Sequence, residues 1–138
     1  MKYDKAYPIL CLDFDGVLHS YTSGWKGPRT IPDPPVDGAI EWLRSLLGCP
    51  ENEGIAERYR DFKVAIYSAR SQFIRGRGAI KKWLMLWGMT KYEIELIHFP
   101  RSKPPAFVTI DDRAITFVGT FPSATELLAF RPWNKQNV

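Results

Sequence analysis

The sequence has few sulfur and imidazole side chains, with two cysteines and two histidines among its 138 residues. Cys11 lies in a strand-like apolar run and Cys49 in a Gly-Cys-Pro loop, so the pair forms neither a CxxC motif nor a disulfide framework. We expect both to be reduced, structural thiols. The cysteine content therefore excludes a small domain that depends on disulfides for its stability.

The sequence also lacks a long apolar run. A helix that spans a bilayer needs roughly 18 apolar residues, whereas Asp13, Asp15 and Lys63 interrupt the apolar stretches here. Near the N-terminus the apolar run covers only residues 9–12, which is too short for the core of a secretory signal. We expect no membrane association and a cytoplasmic location.

Apolar and aromatic side chains are plentiful, at 45% and 14% of the residues. Such a composition can bury a core, and it excludes disorder for most of the chain. The length predicts a single domain over residues 1–138, with a flap-like loop at 14–35 and a tail at 130–138. The net charge of +4 favours polyanionic partners only mildly.

Strand-like and helix-like segments alternate along the chain. The predicted strands are 8–12, 62–67, 93–99, 106–110 and a short segment at 115–118. The predicted helices run from a cap at Asp33 to residue 47, from a cap at Ser71 to residue 87, and onward from the Ser123-Ala-Thr-Glu126 capping box. This alternation predicts an α/β fold, a parallel sheet with flanking helices.

Polar side chains follow three of the apolar strands at the point where each strand ends. They are Asp13, Ser68 and Asp111. In a parallel sheet the carboxyl ends of the strands share one edge, and ligands bind in the crevice beyond that edge. We therefore expect these three side chains to lie close together.

Carboxylates dominate this predicted cluster. Asp13 and Asp15 are two residues apart, and Asp111 and Asp112 are adjacent. Carboxylates that share a site repel one another unless a cation separates them, and Mg²⁺ prefers oxygen ligands of this kind. A carboxylate beside bound Mg²⁺ can attack phosphorus while a second carboxyl protonates the leaving group.

Four segments resemble, in order, the motifs of the haloacid-dehalogenase-like superfamily of Mg²⁺-dependent phosphohydrolases. The segments are Leu-Cys-Leu-Asp-Phe-Asp-Gly-Val-Leu at 10–18, Ala-Ile-Tyr-Ser at 65–68, Lys103, and Val-Thr-Ile-Asp-Asp at 108–112. Val17 and Ser68 stand where threonine is commoner in the family. The resemblance implies a three-layer Rossmann-like fold. It also implies a capless type, because the predicted helix, strand and loop already fill the stretch between Asp15 and Ser68.

The resemblance implies a role for each matching residue. Asp13 would be the nucleophile, Asp15 the general acid and then base, Ser68 a hydrogen-bond donor to the phosphoryl group, and Lys103 the cation that neutralises its charge. Mg²⁺ would be held by Asp13, by the backbone carbonyl of Asp15 and by Asp111 or Asp112. The second acid of the pair is favoured. Lys91 is the alternative to Lys103.

A narrower resemblance concerns the trio Ser68-Ala69-Arg70 and the run that ends Asp-Asp-Arg at 111–113. Both are similar to the phosphatase domain of polynucleotide kinase-phosphatases, where the arginine of the trio handles phosphate. This similarity implies that Ser68, Ala69 and Arg70 bind substrate. The substrate class stays open between a sugar phosphate, a nucleotide and a nucleic-acid 3′-phosphate. A capless site is also open, so it can admit a large substrate such as a nucleic-acid end, or it can be closed by the loop around Trp25 or by a second subunit of a homo-oligomer.

Several residues near these motifs have both a functional and a structural interpretation. His19 follows the first motif and could protonate a leaving group, although a structural role is favoured. Trp25 can stack on a base or sugar, or simply pin its loop to the core. A basic stretch can meet a polyanion, although a solvated helix face is favoured. This stretch consists of Arg75, Arg77, Lys81 and Lys82.

Two other functions are compatible with parts of the pattern. One is a non-catalytic phosphate-binding module of the same fold, since filled catalytic positions do not prove turnover. The other is a receiver-type signalling domain, which also unites acids, Mg²⁺, a hydroxyl and a lysine. The order of the acids argues against the receiver, because here the Asp-x-Asp pair comes first and the adjacent pair last.

Overall fold

The computed structural model describes residues 7–47 and 62–135. The strands are β1 (Ile9–Leu12), β2 (Lys63–Ile66) and β3 (Val108–Ile110). The α-helices are α1 (Ala39–Leu46), α2 (Ile74–Leu86), α3 (Lys91–Glu95) and α4 (Ala124–Leu128), and short 3₁₀ helices cover Ala69–Gln72 and Trp133–Lys135. Helices and strands alternate through much of this order, as the sequence predicts.

The three strands form one parallel sheet in the order β2, β1, β3. Leu12 at the end of β1 pairs with Ile66 of β2 on one side and with Ile110 of β3 on the other. All three strands therefore end at the same edge. The predicted α/β fold with a parallel sheet is confirmed at this level.

The core lies on the β1 and β2 side of the molecule. All four residues of β1 are buried, as expected for a central parallel strand covered on both faces. In α1, Ala39, Ile40 and Leu43 are buried at helical spacing. In α2 the buried positions are Gly76, Ile80, Trp83 and Leu84. These helices pack their apolar faces into one cluster with β1 and β2.

The edge strand β3 and the chain after it are much less buried. The residues of β3 are exposed, and so are large apolar side chains that follow it. These include Ile115, Phe117, Val118, Phe121 and Leu128. The predicted strand at 115–118 is wrong, because the structure gives these residues no strand pairing.

The start of the first helix also differs from the prediction. The helix begins at Ala39, and Gly38 occupies its N-cap position with a positive φ of 79°. Asp33 does not cap it. Its carboxylate instead accepts hydrogen bonds from the backbone N–H and the hydroxyl of Ser23, at 2.8 and 2.5 Å. The Asp33 carboxylate therefore joins the end of the long loop to its middle at Ser23.

The predicted strand at 93–99 is wrong as well. Thr90 and Glu93 form a capping box that begins α3, with Thr90 Oγ1 accepting from the Glu93 N–H and Glu93 Oε1 accepting from the Thr90 N–H. Only His98 pairs with the sheet, through a single bridge to Ala65. The alternating apolar pattern of this segment reflects burial of a short helix, not a strand.

Two smaller expectations have clear outcomes. Ser68, not Ser71, is the cap residue after β2, and it begins the 3₁₀ helix that precedes α2. The Ser123 capping box of α4 is confirmed. Cys11 is buried with a free thiol, whereas Cys49 lies outside the described residues. Within the described ranges, no helix has the length and apolar character needed to cross a membrane.

Candidate functional site

Three carboxylates meet at the edge where the strands end. Asp13 directly follows β1, and Asp111 and Asp112 directly follow β3. The Asp13 backbone N–H donates to the carbonyl of Ile110 at 2.9 Å, which holds the two strand ends together. One oxygen from each carboxylate lies within 4.8 Å of the other two. The adjacency expected from the strand-end pattern is present for these three residues.

Burial and the neighbouring carboxylates together favour the protonated form of Asp13. The pKa of Asp13 rises from its ordinary 3.8 to about 8, first because burial penalises the charged form, then because of a hydrogen bond with Asp112 and the negative charge of Asp111. The Phe14 N–H, which donates to Asp13 Oδ1 at 2.9 Å, offsets this only in part. A cation between the carboxylates would relieve the same repulsion. Three oxygen donors at this spacing fit a hard divalent ion such as Mg²⁺.

The backbone at Gly16 approaches Asp112 so closely that no side chain fits there. A Cβ on Gly16 would overlap the Asp112 carboxylate, and φ is +84°. The Gly16 carbonyl accepts a hydrogen bond from the indole N–H of Trp133 at 2.8 Å. Sequence reasoning missed Trp133, because the predicted tail carries no signal that it returns to the first motif 117 residues away.

The Asp15 carboxylate is held in a network of buried side chains beside the carboxylate trio. Its Oδ1 accepts from Arg70 Nη2 at 3.0 Å and its Oδ2 from Arg70 Nε at 3.0 Å. His19 Nδ1 lies 2.8 Å from Oδ1. Because His19 Nε2 accepts the Asp33 backbone N–H at 3.1 Å, the proton of a neutral ring sits on Nδ1 and is donated to Asp15. Asp15 is thus fixed in orientation by two donors.

His19 itself is fully buried, and both ring nitrogens have partners. Its ring also stacks on Phe14, with centroids 5.6 Å apart. The burial and the two paired nitrogens agree with a structural role for His19, because the ring has no free nitrogen to offer a ligand.

Arg70 connects Asp15 to the long loop. The guanidinium is fully buried, and Nη1 donates to the carbonyls of Gly27, Pro28 and Thr30 at 2.9 to 3.1 Å. Trp25 lies over it, with the ring centroid 4.9 Å from Cζ. The structure therefore places Arg70 beneath the loop as a clamp, and its hydrogen bonds go to Asp15 and to backbone carbonyls.

Ser68 lies at the same sheet edge as Asp13, since the Tyr67 N–H donates to the Leu12 carbonyl at 2.9 Å. Its hydroxyl oxygen accepts from the Arg70 N–H at 3.1 Å, which leaves the hydroxyl proton able to donate to a ligand. Ser68 therefore caps the 3₁₀ helix and still has a hydroxyl proton that can be donated to a ligand. Ala69 is exposed beside it.

The two candidate lysines lie on different elements. Lys103 is exposed in the loop before β3, and it is near enough to Cys11 to act on that thiol by its charge. In the part of the chain that the structure describes, Lys103 forms no ion pair. Lys91 is the exposed first residue of α3. Lys103 lies in the loop that leads into β3, and Asp111 directly follows that strand, whereas Lys91 lies on α3.

Comparison with known proteins adds no relative to this picture. A scan against protein-family models, a search of curated proteins and a search of solved structures each found no match.

Proposed function

We propose that this chain is a Mg²⁺-dependent phosphomonoester hydrolase that works through an aspartyl-phosphate on Asp13. The observation that supports it best is the trio of Asp13, Asp111 and Asp112, gathered within 4.8 Å at the carboxyl edge of a parallel sheet. The three-layer, capless arrangement of the haloacid-dehalogenase-like superfamily belongs to the same proposal.

The proposed metal ligands are Asp13 and the Asp111–Asp112 pair, with the Asp15 backbone carbonyl added by the motif resemblance. Asp112 is the better supported member of the pair, because its carboxylate is hydrogen-bonded to Asp13 and lies against Gly16. Bound Mg²⁺ would supply positive charge that neutralises the phosphoryl oxygens and keeps Asp13 ionised.

The chemistry of the chain's own residues follows two steps. An oxygen of Asp13 attacks phosphorus, the bond from phosphorus to the ester oxygen breaks, and Asp15 gives a proton to the departing alcohol. Water then attacks the aspartyl-phosphate, Asp15 takes the proton from that water, and phosphate leaves Asp13. Oδ2 of Asp15 is the oxygen proposed for this exchange, since it accepts from Arg70 Nε alone, whereas Oδ1 accepts from both Arg70 and His19.

Charge on the phosphoryl group needs donors besides the cation. The Ser68 hydroxyl proton is available for one hydrogen bond. The Lys103 ammonium, carried on the loop before β3, is the proposed second donor. Arg70 acts by positioning: it holds Asp15 and the loop at 27–30 in fixed relation.

The test is a hydrolysis panel of p-nitrophenyl phosphate, sugar phosphates, nucleotides and phosphorylated oligonucleotides, with Mg²⁺ and with chelator. Asp13→Asn is expected to lower turnover by about a thousandfold or more, because amide oxygen is a poor nucleophile. Asp37→Asn is the matched control, since Asp37 is exposed outside the trio. Full activity of Asp13→Asn would contradict the proposal.

The second candidate function is a phosphate-binding module without turnover. The observation that favours it is the complete pairing of Asp15 Oδ1, which limits proton exchange to a single oxygen. Absence of hydrolysis across the panel, together with retained Mg²⁺-dependent binding of phosphate, would establish this second function instead.

A further inference from the structure

A basic groove lies between the long loop, the start of α2 and the loop before β3. Its volume is about 540 Å³, and an adjoining depression shares three of its residues. The name "basic groove" covers both. Their cationic side chains are Arg29, Arg75, Arg77, Arg101 and Lys82. No acidic residue lines either part.

The groove concentrates positive charge that the protein does not neutralise. Arg29, Arg75 and Arg101 are exposed, and across residues 7–47 and 62–135 none of them forms an ion pair. α2 itself contains no acidic residue. Cations that converge on a concave surface repel one another, so a multiply charged anion is the ligand that the groove fits best.

The groove also offers apolar faces beside its charges. Phe73 and Ile74 line it, and Ile74 is 77% exposed. Trp25, 47% exposed, lies over Arg70, which holds the adjoining loop. Positive side chains beside an exposed aromatic ring suit a chain of phosphates with unstacked bases, since every base has a face that can stack. A simple inorganic anion would contact only the charged side chains of the groove. In a double-stranded nucleic acid the base faces are stacked on one another and could not contact the apolar side chains.

Two features of the chain relate the groove to the carboxylate site. Pro28 lines the groove, and its carbonyl accepts from the same Arg70 guanidinium that binds Asp15. Arg101 lines the groove from the loop that also carries Lys103. The loop that lines the groove is therefore linked to Asp15 through the Arg70 guanidinium.

We propose that the basic groove binds the single-stranded end of a nucleic acid and presents its terminal phosphate to Asp13. The binding stands on the groove alone, whereas the presentation to Asp13 rests on the proposed function. The sequence pattern of four basic residues on α2 gave only part of this surface. Folding adds Arg29 and Arg101 and separates Lys81, whose ammonium lies 5.1 Å from the Phe99 ring centroid.

The binding test uses fluorescence anisotropy of a labelled single-stranded DNA 12-mer with free hydroxyl ends. Arg75→Glu and Arg29→Glu are each expected to weaken binding about tenfold or more, and added salt should weaken binding to the native chain steeply. Lys81→Glu is the matched control, because it reverses one charge on the same helix outside the groove. We expect its affinity to stay within about twofold.

Two results would overturn the groove assignment. One is equal binding by Arg75→Glu and Lys81→Glu. The other is tight binding of anionic phosphatidylserine vesicles that depends on Arg75 while the 12-mer does not bind, which would make the surface a lipid site. Thermal melts of each variant exclude unfolding as the cause.

Hydrolysis then separates the two proposals. We expect Arg75→Glu to lower kcat/KM for a terminally phosphorylated 12-mer about tenfold and to leave p-nitrophenyl phosphate hydrolysis unchanged. Equal loss on both substrates would contradict presentation by the groove. If the native chain binds the 12-mer but hydrolyses neither substrate, the proposed function fails and the binding site stands.

Discussion

At the scale of single residues, two glycines stand where a neighbouring group comes too close to leave room for a side chain. Gly16 is adjacent to the Asp112 carboxylate, and Gly76 in the first turn of α2 lies against the backbone carbonyl of Arg70. Gly78, two residues later, has open space where a Cβ would stand. The two glycines of α2 look equivalent in sequence, yet only Gly76 is required by packing.

This difference predicts opposite effects of the same substitution. Gly76→Ala should destabilise the protein by about 1–3 kcal/mol, because the new Cβ would overlap the Arg70 carbonyl and displace it. Gly78→Ala should be neutral or stabilise by up to about 1 kcal/mol through helix propensity. Urea unfolding of both variants measures the difference. Equal free energies of unfolding would show that α2 moves freely relative to Arg70.

At the scale of secondary-structure elements, a complete Ser/Thr-x-x-Glu capping box marked a helix start, whereas the single-residue caps predicted at Asp33 and Ser71 were wrong. The Ser123 box correctly predicted α4, and Thr90-x-x-Glu93 is the same kind of signal, which the prediction of a strand at 93–99 overlooked. Glu93 is fully buried, and its Oε2 accepts from Arg44 Nε at 2.6 Å. Its second oxygen caps the helix, so one side chain fixes both the start of α3 and its contact with α1.

Glu93→Ala should therefore destabilise the protein by about 2 kcal/mol, since it removes a charged acceptor from the Thr90 N–H and from Arg44. Glu95→Ala, an exposed position on the same helix, should change stability by less than about 0.5 kcal/mol. Denaturant midpoints measured in parallel provide the comparison. Similar losses for both variants would mean that helix propensity, not the capping box, stabilises α3.

At the scale of the whole molecule, the carboxylate trio is where the buried strand β1 meets the exposed strand β3. Asp13 belongs to the core side, and Asp111 and Asp112 to the edge side. A ligand that binds all three would stabilise the folded state by holding the edge strand to the core. Its effect must depend on pH, because the pKa of Asp13 is raised to about 8.

The direction of the pH dependence of stability follows from the protonation of Asp13 in the folded and unfolded states. Between about pH 4 and pH 8 the folded protein keeps the Asp13 proton while the unfolded chain has lost it, so without added cation stability falls as pH rises and levels off above about pH 8. Mg²⁺ must displace that proton, so its stabilising effect should grow over the same range. We expect added Mg²⁺ to raise Tm more at about pH 8.5 than at about pH 6.

Thermal melts with and without Mg²⁺ at these two pH values make the measurement. Asp13→Asn should remove the difference between them, and Asp37→Asn should preserve it. An equal rise in Tm at both pH values in the native chain would show that Asp13 does not exchange its proton for the cation.

The sequence by itself determined the parallel α/β pattern and the acids that follow β1 and β3, because strand periodicity and strand ends are local properties. Tertiary structure alone decided that Asp15 binds Arg70, that Trp133 reaches Gly16, and that Arg29 and Arg101 join α2 in one groove. These partners are far apart along the chain, so only folding brings them within hydrogen-bonding or Coulombic range. The raised pKa of Asp13 has the same origin, since burial and neighbouring charge exist only in the folded protein.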